Sequence, residues 1–97
     1  MEIGLLWYDN DSRLGLEEKV GRAAMRYREK FGCWPNTCFV NSKTIDGCTQ
    51  QDLYIPHQKQ EREAIIRVIS AQNVLAHHFW LGISQWEVAH RKQQASD

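Results

Sequence analysis

The sequence predicts an α+β fold: a single small domain with a sheet of about four strands and one main helix packed on one face. Three observations lead there. Residues 16–31 carry apolar side chains at helical spacing, and short β-branched or aromatic runs stand before and after them. The chain has 97 residues, which is one domain with room for one core.

The first run, Ile3 to Tyr8, is apolar on both alternating faces, with Ile3, Leu5 and Trp7 on one and Leu6 and Tyr8 on the other. Such a run predicts a strand buried on both sides, central in its sheet. Asp9-Asn10-Asp11-Ser12 closes it as a turn. The helix follows. At 100° per residue, Leu16, Val20, Ala23, Ala24, Tyr27 and Phe31 fall in an arc roughly 100° wide. Gly15 or Ser12 serves as N-cap, Glu17 and Glu18 suit the positive end of the helix dipole, and Gly32 stands at the C′ position.

Trp34-Pro35-Asn36 turns the chain into a second strand, Thr37-Cys38-Phe39-Val40-Asn41. If parallel to the first, the pair forms a β-α-β crossover. Residues 42–63 contain Asp46-Gly47, Pro56 and a polar run from His57 to Glu63, and read as a loop or insertion. Ile65 to Ile69 and Phe79 to Ile83 are strands by composition, joined as a hairpin through residues 71–77. Phe79, Leu81 and Ile83 share one face, which turns Trp80 outward with His78 and Ser84. Ser84-Gln85-Trp86-Glu87 matches a capping box and predicts a short C-terminal helix with Trp86, Val88 and Ala89 on its apolar side.

Twelve basic residues balance twelve acidic ones, so no global charge selects nucleic acid or membrane as partner. Three cysteines cannot all pair internally, which favours free thiols and a cytoplasmic location. The N-terminus lacks the basic segment of a signal peptide, and no apolar run approaches the ~20 residues of a membrane span. With one firm helix for two sheet faces, the second face needs the C-terminal helix, residues 50–63, or a second copy of the chain. A homodimer is therefore expected.

Several residue sets could carry chemistry. Lys19, Arg22, Arg26 and Lys30 fall in a second helix arc, roughly 80° wide, and form a continuous cationic stripe. Such a row can track phosphates, with Trp34, Tyr54 or Trp80 as stacking platforms. Its ordinary reading is a solvated flank with Glu18 pairing Arg22. Trp34, Trp80 and Trp86 are candidate interface anchors, because tryptophan is costly to expose. Asp9 and Asp11 stand at the carboxyl end of the first strand, where α/β sheets place ligands, and two carboxylates so spaced could share a divalent cation. Turn and capping chemistry uses the same residues. Cys33, Cys38, Cys48 and His57 lack the paired spacing of a zinc knuckle, so no metal or cofactor is assigned. His77 and His78 point to opposite faces of a strand.

The run Leu5-Leu6-Trp7-Tyr8-Asp9, followed by Asp11 and Arg13, resembles the first strand and turn of the CRISPR-associated Cas2 proteins. The likeness covers about the first twenty residues. It implies a ferredoxin-like dimer in which Asp9 serves metal-dependent nuclease activity. The helix, then Pro35-Asn36-Thr37-Cys38-Phe39-Val40-Asn41, then Ile65–Ile69, is similar to a stretch of tailed-phage capsid proteins, which implies a mobile-element origin.

The leading expectation is a small non-enzymatic binding protein, homodimeric, that contacts protein or nucleic acid through the basic stripe and the exposed tryptophans. The alternative is a metal-dependent nuclease or phosphodiesterase using Asp9 and Asp11.

Overall fold

The computed structural model describes residues 4–46, 48–55 and 64–85. Its elements are β1 (Gly4–Tyr8), α1 (Leu16–Phe31), β2 (Thr37–Val40), a short 3-10 turn (Ser42–Ile45), β3 (Gln50–Ile55), β4 (Ala64–Ser70) and β5 (His78–Gly82). The five strands form one mixed sheet in the order β1-β5-β2-β4-β3. β5 runs antiparallel to both β1 and β2, β2 runs parallel to β4, and β4 runs antiparallel to β3.

The helix forms as its periodicity predicts. Val20, Ala23, Ala24 and Tyr27 are buried, and Leu16 and Phe31 flank them, half-buried, against the core. Gly15 is the N-cap, with no side chain to cap the first turn, so Glu17 and Glu18 are left to balance the amide dipoles there. Gly32 ends the helix at φ 82°, and its amide donates to the Arg28 carbonyl. That left-handed conformation is open to glycine at no steric cost.

Opposite the helix, every second strand residue faces in: Cys38 and Val40, Ile66 and Val68, Phe79 and Leu81 are all buried, and Leu53 nearly so. Ile45, from the 3-10 turn, closes the core on one side. Asn36 fastens the strand ends. Its amide donates to the Ser84 carbonyl at 3.1 Å, and its Oδ1 accepts from the Ser84 amide at 2.9 Å. The Thr37 hydroxyl also donates to Oδ1, which leaves the Ser84 hydroxyl to donate to Thr37 Oγ1 at 2.7 Å. A side-chain amide thus continues the β2–β5 ladder where the chain leaves the sheet.

Four sequence expectations need correction. The sheet has five strands, because the segment read as a loop over 42–63 contains both the 3-10 turn and β3. β3 is an edge strand whose Gln50, Gln51 and Asp52 masked its alternation. β4 and β5 are not a hairpin: β2, whose inward side chains are wholly buried, lies between them. β1 is not central. It is the opposite edge strand, and Leu6 and Tyr8 lie open to solvent. Ile83 lies beyond the end of β5 and is exposed rather than in line with Phe79 and Leu81.

β1 and β2 are parallel with β5 inserted between them, a split β-α-β unit. The second crossover helix that a ferredoxin-like fold requires does not occur between β4 and β5, where residues 71–77 form a loop. The predicted C-terminal helix, His57 and Trp86 lie outside the described residues.

Candidate interaction face

The helix covers one face of the sheet. On the other face the register places Leu6 of β1, Trp80 of β5, Phe39 of β2, Ile69 of β4 and Gln50 of β3 in one row from edge to edge. Below that row, Ile65 stands opposite Tyr54; above it, Tyr8 stands opposite His78. Leu6 is 59% exposed, Tyr8 55%, Tyr54 53% and Ile65 41%. Trp80, Phe39 and Ile69 are half-buried. The charged side chains of the described face are Arg67 and Asp52, which pair at 3.0 Å and 3.3 Å through both carboxylate oxygens.

Trp80 can lie across β1 because position 4 is glycine. A Cβ there would stand 2.9 Å from the indole and 2.5 Å from the Leu81 carbonyl oxygen. The loop over residues 71–77 is held against the same face. The Ala71 amide donates to the Val40 carbonyl, and the Asn41 side-chain amide donates to the Val74 carbonyl, each at 2.9 Å. Between loop and sheet runs an open groove of about 500 Å³, floored by Leu6, Phe39 and Trp80 and walled by Val74, Leu75 and His78. Leu75, on its rim, is 71% exposed. His78 lies beside the Tyr8 ring, 5.0 Å between centroids. Its Nδ1 stands 2.9 Å from the Ala76 carbonyl oxygen. A carbonyl only accepts, so Nδ1 donates there and Nε2 is the ring atom left for another partner. No charged side chain lines this groove.

The basic stripe lies on the helix flank, away from this face. Arg22 lies 3.9 Å from Glu18, Arg26 pairs with Glu29 at 3.3 Å, and Lys19 donates to the Asp9 carbonyl at 3.5 Å. Lys30 sits 5.4 Å from the Phe31 ring centre. Each cation of the stripe therefore has a local partner, and acidic side chains interrupt the field along it.

Asp9 and Asp11 do turn chemistry. Asp9 accepts from the Asp11 amide, and Asp11 accepts from the Arg13 amide and from both ends of the Arg13 guanidinium. The Arg13 hydrogen bonds hold the Asp11 carboxyl below its usual range. Among the described residues, no group of three or more His, Cys, Asp or Glu gathers where a metal ion could bind. Cys33 and Cys48 are exposed, and Cys38 is buried in β2.

The three candidate tryptophan anchors separate. Trp80 stands on the open face, on the strand next to the β1 edge. Trp34 is half-buried against the core, with the Arg28 guanidinium 5.2 Å from its ring. Trp86 lies outside the described residues. Comparison with family models, with curated proteins and with solved structures gives no match. Among the described residues no helix is long and apolar enough to cross a membrane.

The sequence names Tyr54 only as a stacking platform for the basic stripe, and it does not single out Leu6, Phe39, Ile69, Ile65 or Leu75. Their signal was present for the strand residues: each alternates with a core position of its own strand and is apolar nonetheless. A half-buried strand ordinarily places polar residues there.

Proposed function

We propose that the chain is a non-enzymatic binding protein that works by protein contact, with the open sheet face around Trp80 as its working surface. The observation that carries this reading is the apolar row from Leu6 to Ile69, crossing four of the five strands with no element of the described chain above it. Monomeric proteins seldom leave a contiguous apolar patch beyond a few hundred Å² uncovered. A half-buried tryptophan ringed by smaller apolar groups is the composition of an interface centre.

The nucleic-acid reading has less support. It needs a row of cations free to meet phosphates, and those of the stripe lean on Glu18, Glu29 and the Asp9 carbonyl. The nuclease alternative needs Asp9 and Asp11 to turn toward one cation, and Asp11 is held by Arg13.

Trp80→Glu places a charge on the floor of the groove without touching the core side of β5. It should abolish association detected by light scattering coupled to size exclusion. The pair Arg22→Glu with Arg26→Glu, and separately Asp9→Ala, should leave association intact. Loss of association in the arginine pair but not in Trp80→Glu, or metal-dependent cleavage of a short DNA that Asp9→Ala removes, would overturn the proposal.

A further inference from the structure

We infer that the occupant of the open face is a second copy of this chain, seated so that Tyr54 and Ile65 of each copy fill the groove of the other. The inference rests on the interaction reading above and adds the partner and its geometry.

The face carries a hollow at one corner and exposed apolar side chains at the opposite one. The groove lies over β1, β5 and β2, toward the His78 end of β5. The exposed side chains Tyr54 and Ile65 lie over β3 and β4, two register steps toward the other end, where no groove receives them within the described chain. Neighbouring strands are about 4.8 Å apart and alternate residues about 6.7 Å apart along a strand. Hollow and projection are thus separated by about three strands across the sheet and roughly 18 Å along it, at diagonally opposite corners.

A surface with a projection at one corner and a hollow at the opposite corner is complementary to itself. A two-fold axis lying in the face, along the other diagonal, carries each projection onto the partner's hollow in the same operation. This is an isologous contact, and it closes at two copies. The axis crosses the strands obliquely, with its midpoint near β2 and β4. Laid out at these spacings, Ile65 of one copy falls over Trp80 of the other, Tyr54 falls between Trp80 and His78, and the two Ile69 side chains meet near the axis. The strands of the two sheets then cross at about a right angle, one of the two stable ways in which sheets pack face to face.

Chemistry and size agree with that arrangement. The groove is uncharged, as are Tyr54 and Ile65. His78 offers Nε2 to a donor, and the Tyr54 hydroxyl is a donor. The chain carries no net formal charge, and the Arg67–Asp52 pair neutralises the face locally, so two copies do not repel. The strands span about 24 Å by 20 Å, or roughly 500 Å² in projection, and side-chain relief and the loop rim raise this toward the roughly 800 Å² that each partner of a standard interface buries.

The test uses the full chain and two variants that break opposite halves of the contact. Tyr54→Ala removes the projection, and Val74→Trp fills the groove from its wall. Thermal melts establish that each is folded. Light scattering should give a dimer for the parent chain and a dissociation constant raised about tenfold or more for each variant. Mixed in equal parts, the two variants should recover association, because Tyr54 of the filled-groove copy still finds the empty groove of the other. A Tyr54→Ala chain that dimerises like the parent, or a mixture no better than its components, overturns this geometry. If Trp80→Glu is nonetheless monomeric, the interaction reading stands without it. A parent chain that stays monomeric overturns both.

Discussion

At the scale of single residues, Asn36 and Cys38 show how position converts an ordinary side chain into a structural commitment. Asn36 is buried, and hydrogen bonds of its side chain include two to the backbone of Ser84 and one from the Thr37 hydroxyl. Asn36→Ala strands the Ser84 amide and carbonyl at the exit from β5. It should cost about 2–4 kcal/mol and lower Tm by roughly 10 °C or more in a calorimetric melt. Cys38 is buried among apolar neighbours, and burial pushes its thiol pKa well up from the ordinary 9.0. A folded-state pKa raised above its unfolded value supplies stability that is fully present below the unfolded pKa and is lost as pH rises. Stability should therefore begin to fall above pH 9. Tyr27, raised from 10.0 by its own burial, extends the loss above pH 10. In Tm measured from pH 7 to 11, Cys38→Val should delay the onset by about one pH unit, leaving the tyrosine step.

At the scale of elements, the helix and the strands differ in what their own residues announce. The helix was legible because a 3.6-residue period is a property of one segment: Leu16, Val20, Ala23, Ala24, Tyr27 and Phe31 need no partner to declare their face. The strands β1, β2, β4 and β5 were legible as strands for the same reason. Their order was not, since alternation reports which side of a strand is apolar and says nothing about its neighbours. β1 was placed at the centre because Leu6 and Tyr8 matched Leu5 and Trp7, and it sits at the edge with those two side chains open. β3 was missed because Gln50, Gln51 and Asp52 open it, although Leu53 and Tyr54 alternate correctly behind them. The β1–β5 contact carries a prediction of its own. Gly4→Ala drives a methyl into the Trp80 indole and the Leu81 carbonyl. It should cost about 1–3 kcal/mol and alter the near-ultraviolet circular dichroism of the tryptophans. An unchanged spectrum and Tm would mean that Trp80 does not lie over β1.

At the scale of the whole molecule, among the described residues one α-helix serves a five-stranded sheet, and one sheet face is left without cover from the described elements. The candidate site was legible only in part for this reason. Trp80 could be named from its alternation with Phe79 and Leu81, but the groove beside it exists only because β1, β5 and β2, distant in sequence, are neighbours. If a second copy supplies the missing layer, association and folding are linked, and Tm should rise with protein concentration. Differential scanning fluorimetry over a hundredfold dilution checks this. A Tm independent of dilution in the parent chain, and equal to that of Trp80→Glu, would leave the uncovered face without an energetic role.

The strand order also decides when this protein can fold during its synthesis. Leu5 pairs with Leu81, so β1 waits for β5, the last of the described strands. β2, already emerged, cannot gain its β5 neighbour until the same moment, although its parallel partner β4 comes earlier. Loop closure over nearly the whole described chain precedes any reward from the β1–β5 half of the sheet, a recipe for slow folding of a small domain. Between the synthesis of β1 and that of β5 the apolar strand Gly-Leu-Leu-Trp-Tyr therefore has no strand beside it, a nascent segment suited to holding chaperones until β5 is released.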